Sequence, residues 1–291
     1  MPSRDVPVQG IIMTQANENF AAALTEQGYP LKQEIFRLFN TGTAREKLEW
    51  QIEKSDVSFE LPNHYQAHVD FVLKRRSDLP GFIPDNPRHV VMKCKRSTLD
   101  YDCWVFLKNN KSAHEISSNR YLIEYAKAIG RYPFQFKHIL KSSCADQECP
   151  VFDNGIEMRI ETAFNRHKPA SSTVAIEDAL NQVILGQTGL ANKLHRTNTR
   201  MFQLIPVVVT TAKLMSAHLD DEKVSLGDDK LEPRKWVAIN YQISGGAAQF
   251  FEEHSSIPSS IAQQLDSRRT VFVVQAEHIQ PFLEWLYKKN L

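Results

Sequence analysis

Apolar positions along this chain follow two rhythms, one helical and one alternating. Between Pro30 and Phe39, Leu31, Ile35, Leu38 and Phe39 recur at helical spacing behind a starting proline, which predicts a first helix with Glu34 flanking its apolar stripe. Leu48, Trp50 and Ile52 then alternate with Glu49, Gln51 and Glu53, a strand pattern that Val57 and Phe59 prolong. Apolar runs at 68–73 and 89–92 predict two more strands, and Pro80, Gly81, Pro84 and Pro87 make the polar connection between them a loop. With a further strand over 103–107, these segments predict a consecutive, mostly antiparallel sheet with one helix in front of it.

From 112 to 172 the pattern weakens to a helix within 119–129 and a strand over 155–162. A long helix over 173–195 follows, carried by Ile176, Leu180, Val183, Ile184, Leu190 and Leu194. Gly186 and Gly189 interrupt it at a cost of ~1 kcal/mol each relative to Ala, so close packing against a neighbour is the expected reason for them. Residues 202–211 carry an unbroken apolar run from Leu204 to Val209, as in a strand covered on both faces. A charged, turn-rich excursion at 220–233, strands over 236–243 and 268–274, a polar loop at 245–262 and a short helix over 279–287 complete the chain.

The 291 residues are enough for one large domain. The expected organisation is an N-terminal extension, 1–27, and a single elaborated α/β domain, 28–291. A net charge of +1, from 35 Lys+Arg against 34 Asp+Glu, excludes a global pull toward polyanions, so any such binding rests on a local patch. The start lacks an apolar leader core, and no stretch reaches the ~20 apolar residues of a membrane helix, so a cytoplasmic protein with no membrane partner is expected. The four cysteines then stay reduced, and Cys144 with Cys149 alone would make an incomplete zinc site.

Chemistry concentrates in two strands. Asp70 lies in mid-strand among Val69, Phe71 and Val72, where a charge needs a partner whatever its role. Lys93 and Lys95 close the next strand and share one face, with Val90, Met92 and Cys94 on the other. If the strands are neighbours, Asp70 reaches the two lysines.

An Asp on one strand followed by an x-Lys pair closing the next resembles the PD-(D/E)xK superfamily, the restriction-endonuclease-like fold, with Lys93 in place of the usual Glu. The resemblance extends to the order of Gly28-Tyr29-Pro30-Leu31, Trp104-Val105-Phe106-Leu107, Ile176-Glu177-Asp178-Ala179-Leu180, Pro206-Val207-Val208-Val209-Thr210-Thr211 and the terminal Arg269-Thr270-Val271-Phe272-Val273-Val274, as in uncharacterised bacterial restriction-endonuclease-like proteins. It implies a mixed sheet flanked by helices and Mg²⁺-dependent phosphodiester hydrolysis of DNA. Asp70 and Glu34 would be metal ligands, Lys95 would orient or activate water, and Gln182 would assist. A genome-defence setting follows from the resemblance alone, and a homo-oligomer or a partner-subunit role stays open.

An ammonium at position 93 cannot ligate Mg²⁺, so either a carboxylate is relocated, from Glu49, Asp100 or Asp102, or hydrolysis is lost. In the second case the chain is a nucleic-acid-binding or assembly subunit that kept the nuclease fold. Lys93 then grips the phosphate backbone with Arg96, Arg75 and Arg76. The plainest alternative is a buried ion pair between Asp70 and Lys93 or Lys95. His64, His68 and His89 admit a metal group near the sheet edge or, more commonly, ordinary hydrogen-bonded histidines. Trp104 and Phe106 alternate as core residues do, and neither a phosphate-binding glycine loop nor a nucleophile elbow is present.

Overall fold

The computed structural model describes residues 29–41, 49–76, 87–97, 101–108, 123–126, 149–159, 171–196, 201–218, 231–250, 259 and 269–288. The expected extension 1–27 and Cys144 lie outside them. Helix α1 (Tyr29–Asn40) precedes an antiparallel meander of β1 (Trp50–Glu60), β2 (Gln66–Arg75) and β3 (Arg88–Lys95). On its other edge β3 pairs in parallel with β9 (Met201–Thr210), and β9 pairs in parallel with β13 (Arg269–Gln275). β12 (Trp236–Tyr241) and the short β6 (Val151–Phe152) complete one edge, and β5 (Ile123–Ala126) pairs with β9 from the side. The result is a mixed eight-stranded sheet.

Why β9 takes the centre follows from its composition. Leu204 to Val209 are buried on both faces of the sheet, which only a central strand provides. Even-numbered residues of β3, Val90, Met92 and Cys94, pack under α1 and the C-terminal helix α3 (Ile279–Lys288), with Leu31, Ile35, Phe39, Phe282 and Trp285. On the opposite face Val69, Val91 and Val208 meet Ile176, Leu180, Val183 and Ile184 of the long helix α2 (Val174–Arg196). Gly186 and Gly189 are where α2 comes closest: a Cβ there would lie 2.2 Å from Val69 Cγ1 and 2.4 Å from Phe59 Cβ.

A second, five-stranded sheet departs from the expected single meander. β4 (Cys103–Lys108) does not continue from β3. It runs parallel to β10 (Lys213–His218), flanked by β7 (Asn154–Met158) and β8 (Ser171–Ser172) on one side and β11 (Leu231–Arg234) on the other. Its Trp104 and Phe106, with Leu214, bury into the α2 side of the main core, so both sheets share that core. Two further expectations change. The helix within 119–129 gives way to β5, whose partner Leu204 lies far along the chain and leaves no local periodicity. The excursion at 220–233 ends in β11, a mostly exposed edge strand that tolerates Pro233 because an edge leaves an N–H unpaired anyway.

Candidate functional site

Ladder pairing between β2 and β3 is regular from Lys74↔His89 to Phe71↔Met92. One step further on, the backbone N–H of Cys94 donates to the Asp70 side chain, Oδ2, at 2.7 Å. A carboxylate thus sits where a strand carbonyl would be. The apolar alternation of β2 also slips at this residue: Ala67 and Val69 face α2, whereas Phe71 and Leu73 face α1 and α3. On β1, Asp56 lies between the Ser55↔Phe71 and Val57↔Val69 pairs and carries φ 48°. That left-handed backbone is unusual for a side chain with a Cβ and brings Asp56 to the same place as Asp70.

Around the buried Asp70 carboxylate, two ammonium groups and an imidazole converge from three elements. Lys32 of α1 places Nζ 2.6 Å from Asp70 Oδ1 and 3.5 Å from Asp56 Oδ1. Lys93 Nζ lies 3.5 Å from Asp70 Oδ2. His68 Nε2 is 3.7 Å from Asp70 Oδ1 and 3.9 Å from Asp56 Oδ1, while its Nδ1 shares a 3.3 Å hydrogen bond with Ser58 Oγ. α2 braces the cluster: Gln182 Oε1 accepts the backbone N–H of His68 at 3.0 Å, and one turn earlier Asp178 holds Lys95 Nζ at 3.0 Å.

The electrostatics agree with this geometry. Burial alone would lower the Lys32 pKa, but the Asp70 and Asp56 carboxylates more than offset it and hold the ammonium above its ordinary value. His68 moves the other way: burial first, then the Lys93 ammonium, keep its imidazole below the usual range. Burial and the Asp70 charge push the Cys94 thiol far up, so it is an inert core group.

Several expected site residues stand elsewhere. Glu34 points to solvent, because Leu31 and Ile35 fix the phase of α1 and that phase turns Lys32 toward Asp70. Gln182 lies beside the cluster as a brace on the β2 backbone. Lys95 is engaged by Asp178, and Lys93 by Asp70, so the acid and the first lysine form the buried ion pair that was the plain alternative. Arg75 is buried with its guanidinium 4.7 Å over the Tyr287 ring, which removes it from any phosphate-binding face. Arg76 lies at the same far end of β2, its N–H donating to the Glu49 carbonyl, while Arg96 stays half-buried just past Lys95.

Among the proposed relocated carboxylates, Glu49 sits at the far end of β2, Asp102 enters the second sheet beside β10, and Asp100 lies outside the described residues. The acid that does reach Asp70 is Asp56. His89 is buried against Glu53 Oε2 at 3.2 Å and His64 is exposed in the β1–β2 turn, so the three histidines have separate neighbours. Lys32 and Asp56 went unread, since the apolar stripe of α1 shows which side is buried but not what lies opposite Lys32, and a left-handed strand residue leaves no mark in the alternation.

Donor atoms of Asp56, His68 and Asp70 all lie within 4.8 Å of one another, close enough to hold a metal ion. The Mg²⁺ that the nuclease resemblance implies fits poorly. Mg²⁺ favours oxygen donors and a hydrated octahedron, whereas here an imidazole stands among the donors. Lys32 Nζ already lies against both carboxylates, and Lys93 adds a second positive charge.

Comparison of the chain with protein-family models, with curated proteins and with solved structures gives no match.

Proposed function

We propose that this protein grips a nucleic-acid backbone, most simply that of DNA, on a restriction-endonuclease-like scaffold that does not cut it. One observation carries the proposal: the Lys32 ammonium lies 2.6 Å from Asp70 and 3.5 Å from Asp56, the two carboxylates a metal ion here would need. A tethered positive charge neutralises these carboxylates without supplying the Lewis acid or the metal-bound water that hydrolysis uses.

Supporting the gripping role, Lys93, Lys95 and Arg96 stand at the carboxyl end of β3, beside parallel β9, where open α/β sheets place their ligands. Ser97 and Thr211 hydroxyls meet at 3.0 Å just beyond. Lys95 and Asp178 are both partly exposed, a class of pair that contributes about 0–1 kcal/mol, so a phosphate exchanges with Asp178 at little cost. Fluorescence anisotropy of labelled duplex DNA against salt tests this. The Lys93→Ala and Lys95→Ala proteins are expected to weaken binding on all sequences, each lowering the magnitude of the salt slope by about 1. Slopes identical to wild type would place the contact elsewhere.

A second reading, a metal-dependent nuclease, is favoured by the Asp56, His68 and Asp70 donor set. It requires the Lys32 ammonium to be removed first. Lys32→Ala is expected to create Mn²⁺ binding seen as a metal-dependent rise in Tm that the wild-type chain lacks, since imidazole with carboxylates suits Mn²⁺ better than Mg²⁺. An equal rise in both proteins would show that the lysine does not hold the ion's place.

A further inference from the structure

Near the charge cluster, between β1 and the last turns of α2, lies an open cleft of about 590 Å³. Its origin is a wedge. At Gly189 the backbone of α2 touches Phe59, and beyond that point the helix and the β1–β2 turn part, leaving the space between them open. Its size is inside the roughly 300–1,000 Å³ of small-ligand sites.

The lining is divided by chemistry. β1 and the turn supply Val57, Ser58, Leu61 and Pro62, while the last turns of α2 supply Asn192, Lys193 and Arg196. Glu60 is the one acidic residue of the wall. Basic residues at a helix C-terminus are ordinary complements to its dipole, but two further features are not. Lys54 of β1 stands close to Lys193, and this like-charge proximity pulls the Lys193 pKa below its ordinary value. His64, at the cleft mouth, holds φ 59°. It and Asp56 are the two non-glycine residues with left-handed backbone among those described, and each stands at one of the two sites.

We infer that this cleft is a second, separate phosphate-binding site, in which Lys193 and Arg196 hold the anion and the Val57, Leu61 and Pro62 wall receives the apolar part of the phosphorylated ligand. An oxyanion between Lys54 and Lys193 removes their repulsion, and Asn192, buried and tied through Nδ2 to the Phe250 carbonyl at 3.0 Å, keeps that end of α2 in place. The phosphate belongs either to a free nucleotide-sized molecule or to a nucleic-acid strand continuing from the Asp70 cluster, to which the Ser58–His68 hydrogen bond joins this wall.

Isothermal titration of the full chain with inorganic phosphate, AMP and a short single-stranded oligonucleotide tests the assignment. At least one probe is expected to bind and to lose roughly tenfold or more in affinity in the Lys193→Ala/Arg196→Ala protein, a loss within reach of one broken charged contact. Lys54→Ala approaches the site from the strand side and is expected to weaken the same probe. Binding of phosphate and AMP identifies a free small molecule; binding of the oligonucleotide alone identifies a strand phosphate. No binding by any probe, or binding unchanged in both variants while circular dichroism shows intact folds, overturns the inference. Because these variants leave Lys93 and Lys95 in place, this site and the DNA-gripping edge fail or succeed separately.

Discussion

Asp70 is a strand residue used as a hub. Its two oxygens serve a backbone N–H and two ammonium groups at once, and removing it would strand Lys32 and Lys93 against a buried wall. From sequence, the need of a mid-strand carboxylate for a partner was plain, and Lys93 was correctly placed within reach. Lys32 was not legible, because which side of α1 faces the sheet depends on how Leu31, Ile35 and Phe39 dock. His68 carries a pH signature of the cluster. Its folded pKa lies below the ordinary value of about 6.5, so the unfolded chain takes up the proton first as pH falls. The stability due to neutral His68 is therefore complete above about pH 6.5 and declines below it. Urea unfolding between pH 7.5 and 5.5 is expected to show a steeper loss for wild type than for His68→Gln; parallel losses would mean that the imidazole is not held neutral by this site.

Among the elements, long periodic segments were the most readable. α1, α2, α3, β9, β12 and β13 lie close to where hydrophobic spacing put them, and the glycines in α2 do mark a close approach. Partnership was not readable. β4 follows β3 in sequence and pairs with β10 instead, and β5 pairs with a strand far downstream, because neighbour choice is decided by burial across the whole sheet. Gly189 provides a test at this scale. Alanine there gains about 1 kcal/mol of helix propensity, but its Cβ meets Phe59 Cβ, an atom fixed to the β1 backbone. Gly189→Ala is expected to cost about 1–3 kcal/mol net in chemical denaturation, and a stabilised variant would contradict the close contact.

At the level of the molecule, the mixed α/β class was legible and the second sheet was not. Stacking α1 and α3 on one face of the main sheet and α2 with the second sheet on the other leaves the carboxyl ends of β3 and β9 as an edge where strand-end lysines gather. Among the described residues no helix is long and apolar enough to cross a membrane. The sequence located this edge through Asp70, Lys93 and Lys95, but it could not show that the Lys32 ammonium of α1 lies against Asp70 and Asp56. Under the proposed function, that ammonium is what separates holding a phosphodiester from breaking one. The most direct measurement incubates wild-type protein with end-labelled duplex DNA, in Mg²⁺ and in EDTA, and runs native and denaturing gels on the same samples. The expected result is a salt-sensitive complex in both conditions with the strands intact; Mg²⁺-dependent fragments, or no complex at moderate salt, would contradict the account.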